Sequence, residues 1–240
     1  MDLFNSRYFY FIVLAITISY PILRSFEKRI EFYKSWNLLL PAICIMMIIH
    51  VPIDIVFTKL GVWSFNHNLV YGFFLADLPI EEWLFFIIIP FACLFIYKVL
   101  KYFFKISTAS KLTYNLTLLC GIILVILAIF FYDKIYTSFY FSISGATMIL
   151  IYLKKPYWWK DFLFMYLLSL APFLLVNGML TGSFTNNAIV IYNESHIIGL
   201  RILNIPIEDT IYCFEILVTV VAAYEYIKSL AKPLSIQNNQ

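Results

Sequence analysis

Charge is what this chain has least of. Lys, Arg, Asp and Glu make up 13% of its 240 residues, against roughly 25% in a soluble domain. Hydrophobic residues reach 62%, and the mean hydropathy is +0.86. A water-soluble domain is thereby excluded. Glycine is also scarce, with seven in total and no Gly-x-Gly-x-x-Gly spacing, so no flavin or nicotinamide loop is encoded. The four cysteines, Cys44, Cys93, Cys120 and Cys213, fall inside apolar runs without a Cys-x-x-Cys pair, which leaves no zinc site or disulfide framework to read. His50, His67 and His196 stand apart, and no Asp-rich pair suits a magnesium diphosphate. No metal and no cofactor are expected. The last apolar run has no Lys before Lys228, which counts against a retinal Schiff base.

What the chain has instead is long apolar runs, at about 8–23, 37–57, 79–97, 113–131, 138–153, 162–180 and 205–227. Each approaches the roughly 20 residues needed to cross a hydrocarbon core. They predict an all-α integral membrane protein of about seven transmembrane helices. The first run reads as helix 1, not as a secretory signal, because Arg24, Lys28 and Arg29 follow it and no small-residue cleavage site closes it.

Short cytoplasmic loops hold Lys and Arg in excess. Arg24, Lys28, Arg29 and Lys34 join runs 1 and 2; Lys98, Lys101, Lys105 and Lys111 join runs 3 and 4; Lys154, Lys155 and Lys160 join runs 5 and 6; and Lys228 and Lys232 end the chain. The other side has only Arg7, Lys59, Lys134 and Arg201. The expected orientation is N-terminus outside and C-terminus cytoplasmic. The net charge of +3 is thus a topology signal, and no nucleic-acid partner is expected.

The chain also resembles itself. A shift of 127 residues places Pro79-Ile80-Glu81-Glu82 on Pro206-Ile207-Glu208-Asp209, Phe65-Asn66 on Tyr192-Asn193, His50 on Asn177, Gly72 on Gly199 and Phe85 on Tyr212. One membrane domain, 1–240, then divides into a first half (1–105, helices 1–3), a connecting helix 4 (106–134) and a second half (135–240, helices 5–7). The connector's extra crossing makes the two three-helix repeats parallel. Both acidic motifs are expected at the outer ends of their helices, with His50, Asp54 and Asn177 near the same level.

Carboxylates after a proline are ordinary at a helix start, where Pro fits the first position and the dipole favours negative charge. Here they run straight into Trp83-Leu84-Phe85-Phe86, and ionisable residues in such apolar surroundings are candidates for function. Glu81, Glu82, Glu208 and Asp209 are the candidate acid and base groups. Adjacent helical positions differ by about 100 degrees, so one member of each pair faces a cavity while its neighbour orients it, through Arg201, Asn193 or water. Asn177 and Asp54 are further supporting polar groups. Glu215, seven residues after Glu208, lies near the same helix face, either as a second polar wall or as a packed contact. Phe85, Phe86 and Tyr212 follow the acids, where rings stabilise a developing cation.

These residues resemble the lycopene cyclase family of the heterodimeric and fused type, whose mark is Pro-x-Glu-acid before an aromatic run. The resemblance spans essentially the whole chain and includes Asn177-Gly178-Met179-Leu180-Thr181, Tyr192-Asn193 and Arg201. It implies an isomerase of a bacterial-type inner membrane. An acyclic polyene end would be cyclised by protonation of its terminal double bond, ring closure on the tertiary cation and loss of a ring proton, turning lycopene into γ- and β-carotene. The implied partners are a lipophilic carotenoid, membrane lipid and other carotenoid-pathway enzymes. The second motif departs from the first, with Asp209 for Glu82 and Thr210 for Trp83. Alternatives left open are a cyclase of C50 or ε-ring carotenoids and a seven-helix proton-coupled transporter.

Overall fold

The computed structural model describes residues 5–104, 108–185 and 187–231. Lys105 and Lys232 of the charge count lie outside them, as does the expected boundary at 105/106. Among the described residues the chain forms seven α-helices: α1 (Phe9–Ser25), α2 (Trp36–Lys59), α3 (Ile80–Phe103), α4 (Lys111–Phe130), α5 (Ile135–Lys154), α6 (Trp159–Leu180) and α7 (Glu208–Ala231). Three short strand pairs accompany them, built from β1 (Trp63–Phe65), β2 (Phe74–Leu75), β3 (Leu78–Pro79), β4 (Val190–Tyr192), β5 (Arg201–Ile202) and β6 (Ile205–Pro206). Six of the helices are long and apolar enough to span a membrane. The seventh, α1, has 17 residues, at the lower edge of crossing length.

Ile16, Ile48, Leu119, Ile129 and Leu167 all point outward. Water would penalise such a surface, whereas lipid does not. Internal prolines Pro21, Pro41, Pro52, Pro90 and Pro172 interrupt the backbone ladders without ending the helices, as helices packed on neighbours in a membrane tolerate.

The 127-residue shift carries β1, β2 and β3 onto β4, β5 and β6 residue for residue. It carries α1 and α3 onto α5 and α7 to within two residues. The halves interlock by exchange: α2 packs on α7, α6 packs on α3, and α3 meets α7 at the centre. The connector α4 packs chiefly on α5, where Gly121 and Gly145 allow close approach. A Cβ on Gly145 would fall 2.8 Å from the Gly121 carbonyl oxygen.

The antiparallel pair β1–β4 shows what relates the halves. Trp63 faces Tyr192, Ser64 faces Ile191 and Phe65 faces Val190, so each residue meets the counterpart of its mirror position about Ser64 and Ile191. That register has two-fold symmetry. It puts the axis at the strand end of the bundle, between the two acidic motifs. At the opposite end Lys101 of α3 ties the halves by ion pairs to Glu225 of α7 at 2.8 Å and Asp161 of α6 at 3.3 Å.

Candidate active site

Each motif is delivered by a short hairpin, although the second turn has only Leu203 left-handed, with φ of 56°. In the first half β2 and β3 form a hairpin through Ala76 and Asp77, both left-handed with φ of 50° and 68°, the backbone of a tight primed turn. Ile80 N–H closes onto the Phe73 carbonyl at 3.0 Å, and Ile207 closes onto Leu200 at 2.9 Å. Gly72 and Gly199 precede the two hairpins with φ of +99° and +88°, a conformation that glycine adopts without strain.

The leading carboxylates hold these loops. Glu81 Oε1 accepts the backbone N–H of Tyr71 at 2.7 Å, and Glu208 Oε1 accepts that of Ile198 at 2.7 Å together with the Thr137 hydroxyl. Both side chains are buried, and among the described residues the Oε2 of each has no hydrogen-bond partner.

The second members differ. Asp209 receives three donors: Tyr136 OH on Oδ1 at 2.7 Å, and Asn177 Nδ2 at 2.6 Å and Tyr192 OH at 2.7 Å on Oδ2. Burial and the neighbouring Asp209 charge push the Tyr192 phenol well above its ordinary value, so it stays a donor. Glu82 receives Tyr10 OH on Oε2 at 2.9 Å. It is 8% exposed, whereas the other three motif carboxylates are 0% exposed.

That exposure is to a cavity of ≈ 30 Å³ between the halves, bordered by Glu82, Asp54, Asn177 and the rings of Tyr10, Trp63, Phe65, Phe85, Tyr136, Tyr192 and Tyr212. Asp209 stands behind three of these wall residues, its own donors. Asp54, one helix away on α2, borders the cavity directly, and among the described residues its Oδ2 has no hydrogen-bond partner. The walls are mutually braced, with Tyr212 edge-on to Tyr140 at 5.1 Å and Trp63 edge-on to Tyr136 at 5.2 Å. Here is a small chamber walled largely by aromatic rings, with the carboxyls of Glu82 and Asp54 in its lining.

The expected residues divide accordingly. Glu82, Asp54, Asn177, Phe85 and Tyr212 come together at the cavity, with Asp209 just behind. Phe86 is buried one layer deeper, against Phe85 with ring centroids 6.2 Å apart. Arg201 does not orient a carboxylate of either motif, because its exposed hairpin lets it pair with Glu194 and the Asn204 carbonyl. Asn193 likewise turns to Ser195 and the Gly61 carbonyl. Glu215 turns to α5, accepting from Ser144 and Thr147 at 2.9 Å each. His50 lies near Thr219 Oγ1 at 3.2 Å and does not border the cavity.

The residues that sequence reasoning passed over are Tyr10, Tyr136 and the hydroxyl of Thr137, while Tyr192 stands in the repeat and the resemblance without a role in the site. A signal for them existed, since Tyr136 and Thr137 sit on the second half's first helix where Phe9 and Tyr10 sit on the first.

A family model described as Lycopene cyclase matches residues 7–100 and 133–227, two segments that the same 127-residue shift nearly superimposes. No curated protein and no solved structure matches the chain.

Proposed function

The chain belongs to the lycopene cyclase family, and on that premise we propose that it is a lycopene β-cyclase drawing an acyclic carotenoid from the bilayer. The observation that carries the residue assignment is the carboxyl of Glu82, the motif acid that faces the aromatic cavity. With one side-chain donor and an edge on the cavity it is the group placed to give a proton, while Asp209 is held behind the wall by three donors.

The steps balance without a redox partner. Glu82 gives its proton to the terminal double bond, whose π pair forms the new C–H bond and leaves a tertiary cation. The π pair of an internal double bond attacks that cation and closes the ring. A ring proton then passes to Asp54, whose unpartnered Oδ2 borders the same space, and the remaining pair restores a double bond. Return of the proton from Asp54 to Glu82 completes an isomerisation.

The faces of Phe85, Tyr212 and Trp63 and the Asp209 charge stabilise the cation. A cavity of ≈ 30 Å³ has room for about one water. Bulk water that would trap the cation is kept out, and the walls must part for a carotenoid end to enter. Glu81 and Glu208 act as positioning residues through their loops.

The distribution of Lys and Arg supports a multi-pass inner-membrane orientation with the strand end and the N-terminus outside and the C-terminus cytoplasmic. The division into halves at 1–105 and 135–240 joined by 106–134, and association with neighbouring carotenoid enzymes, belong to the same reading.

The deciding experiment is pigment chromatography of a lycopene-accumulating bacterial host expressing the chain or its Glu82→Gln or Asp54→Asn variant. γ- and β-carotene from the wild type, with lycopene persisting in both variants, is the expected result. Unchanged lycopene with wild-type protein in the membrane would turn the assignment toward C50 substrates or proton-coupled transport. An ε ring would relocate the proton that leaves.

A further inference from the structure

Two apolar grooves lie outside the acid cavity, at positions that the 127-residue repeat relates. One of ≈ 310 Å³ lies between α1, α3 and α6. The other, of ≈ 640 Å³, lies between α2, α5 and α7. The 127-residue shift relates their walls, Tyr20 to Thr147, Ala92 to Thr219, Phe95 to Ala222 and Ile49 to Val176.

Their chemistry has diverged. In the α1–α3–α6 groove the two aliphatic hydroxyls, Thr17 and Ser169, are turned onto their own helices, to the Val13 carbonyl and the Met165 sulfur, and the Tyr20 phenol and Cys93 thiol are the other polar groups of the wall. Hydrocarbon and ring surface make up the rest, including Ile89, Phe95 and Phe173. The counterpart groove has Glu215 and Lys154 in its wall, groups that resist desolvation by a hydrocarbon.

Continuity separates them further. A void of ≈ 10 Å³ lies beside the first groove and shares Ile89 and Phe173 with it. The same void shares Phe85 with the acid cavity. Groove, void and cavity therefore follow one another, with Ile89 and Phe173 between the first two and Phe85 between the last two. The α2–α5–α7 groove shares no lining residue with the void or the cavity. Along α3 the path from Glu82 to Ile96 runs for about 21 Å at 1.5 Å per residue.

We propose that the α1–α3–α6 groove binds the polyene tail of the carotenoid while the terminal double bond stands at Glu82, with Phe85 and Phe173 parting to admit the end group. This rests on the cyclase reading of the acid cavity. With one of these two grooves continuous with the acids, the two ends of a carotenoid are cyclised in separate binding events.

The test fills each groove in turn, with Ala92→Phe in the first and Ala222→Phe in its counterpart, in cells matched for membrane-inserted protein. Conversion of lycopene should fall at least ten-fold in Ala92→Phe and less than two-fold in Ala222→Phe. Binding is read separately in the Glu82→Gln background, by lycopene that co-purifies with the protein. Ala92→Phe should displace that pigment and Ala222→Phe should leave it in place. Should Ala92→Phe fail to accumulate, Ile96→Trp fills the same groove. Wild-type conversion that neither filling variant lowers, or that both lower alike, would assign the groove to bulk lipid and overturn the proposal while leaving the cyclase reading intact. Absence of both conversion and bound lycopene in the parent proteins would overturn the two together.

Discussion

The backbone N–H of Tyr71 donates to Glu81 Oε1 at 2.7 Å, tying the loop before the first hairpin to the first turn of α3. Ile198 and Glu208 repeat the bond at 2.7 Å in the other half. A carboxylate holding a backbone amide that is partly withdrawn from water contributes mainly to architecture. Glu81→Ala should therefore lower the stability of the detergent-solubilised protein by about 1–3 kcal/mol, the cost of stranding a buried donor. Thermal denaturation followed by size-exclusion chromatography measures this. Glu81→Gln keeps a carbonyl acceptor and should retain most of the stability; a Gln variant as unstable as the Ala variant would remove the stapling role.

Tyr10 reaches Glu82 from a different helix, α1, with its hydroxyl 2.9 Å from Oε2. Hydrogen bonds to a charged or reacting carboxyl are worth about 1.5–3 kcal/mol. Tyr10→Phe should accordingly slow ring closure by about ten- to a hundred-fold while the fold persists, because the ring still packs. The measure is the initial rate of lycopene loss in isolated membranes beside thermal stability. A stability loss without a rate loss would make the bond purely structural.

Much of this arrangement was legible in the sequence, for definite reasons. The helices could be read because lipid forbids charge over long stretches, and the repeat because Pro79-Ile80-Glu81-Glu82 and Pro206-Ile207-Glu208-Asp209 are too polar to match by chance in an apolar composition. Which carboxylate faces the cavity was not legible. Helical geometry says that Glu81 and Glu82 diverge, but the choice is made by a loop amide, Tyr71 N–H, that carries no side-chain signature. Tyr10 and Tyr136 escaped because no motif sets them apart among the 18 tyrosines of the chain. Arg201 misled for the opposite reason: a lone cation near an acidic motif invites pairing, yet Glu194, seven residues upstream of it, takes the guanidinium.

Asn177 and Asp209 join α6 to α7 through a 2.6 Å bond. Asp209→Asn would set one amide nitrogen against another, or leave a tyrosine donor unpaired, and should cost about 1–3 kcal/mol of stability. It should also abolish cyclisation by removing the fixed counter-charge. The exchanged pair, Asn177→Asp with Asp209→Asn, restores donor and acceptor but moves the charge. Recovery of thermal stability without recovery of carotene formation is the expected outcome, and recovery of both would show that the charge's position is immaterial.

Ser64 and Ile191 face one another at the centre of the β1–β4 pair, with Cα atoms about 4.5–5.5 Å apart by antiparallel geometry, inside the range that a disulfide spans. Ser64→Cys with Ile191→Cys therefore tests the two-fold relation and the orientation at once. In purified protein a mild oxidant should link the two positions, seen as a cross-linked peptide by mass spectrometry; failure there would contradict the register. In intact cells blocked with a thiol reagent at lysis, the bond should already be present, because disulfides form outside the reducing cytoplasm. A link that forms in purified protein but never in cells would place the strand end, and with it the acid cavity, on the cytoplasmic side.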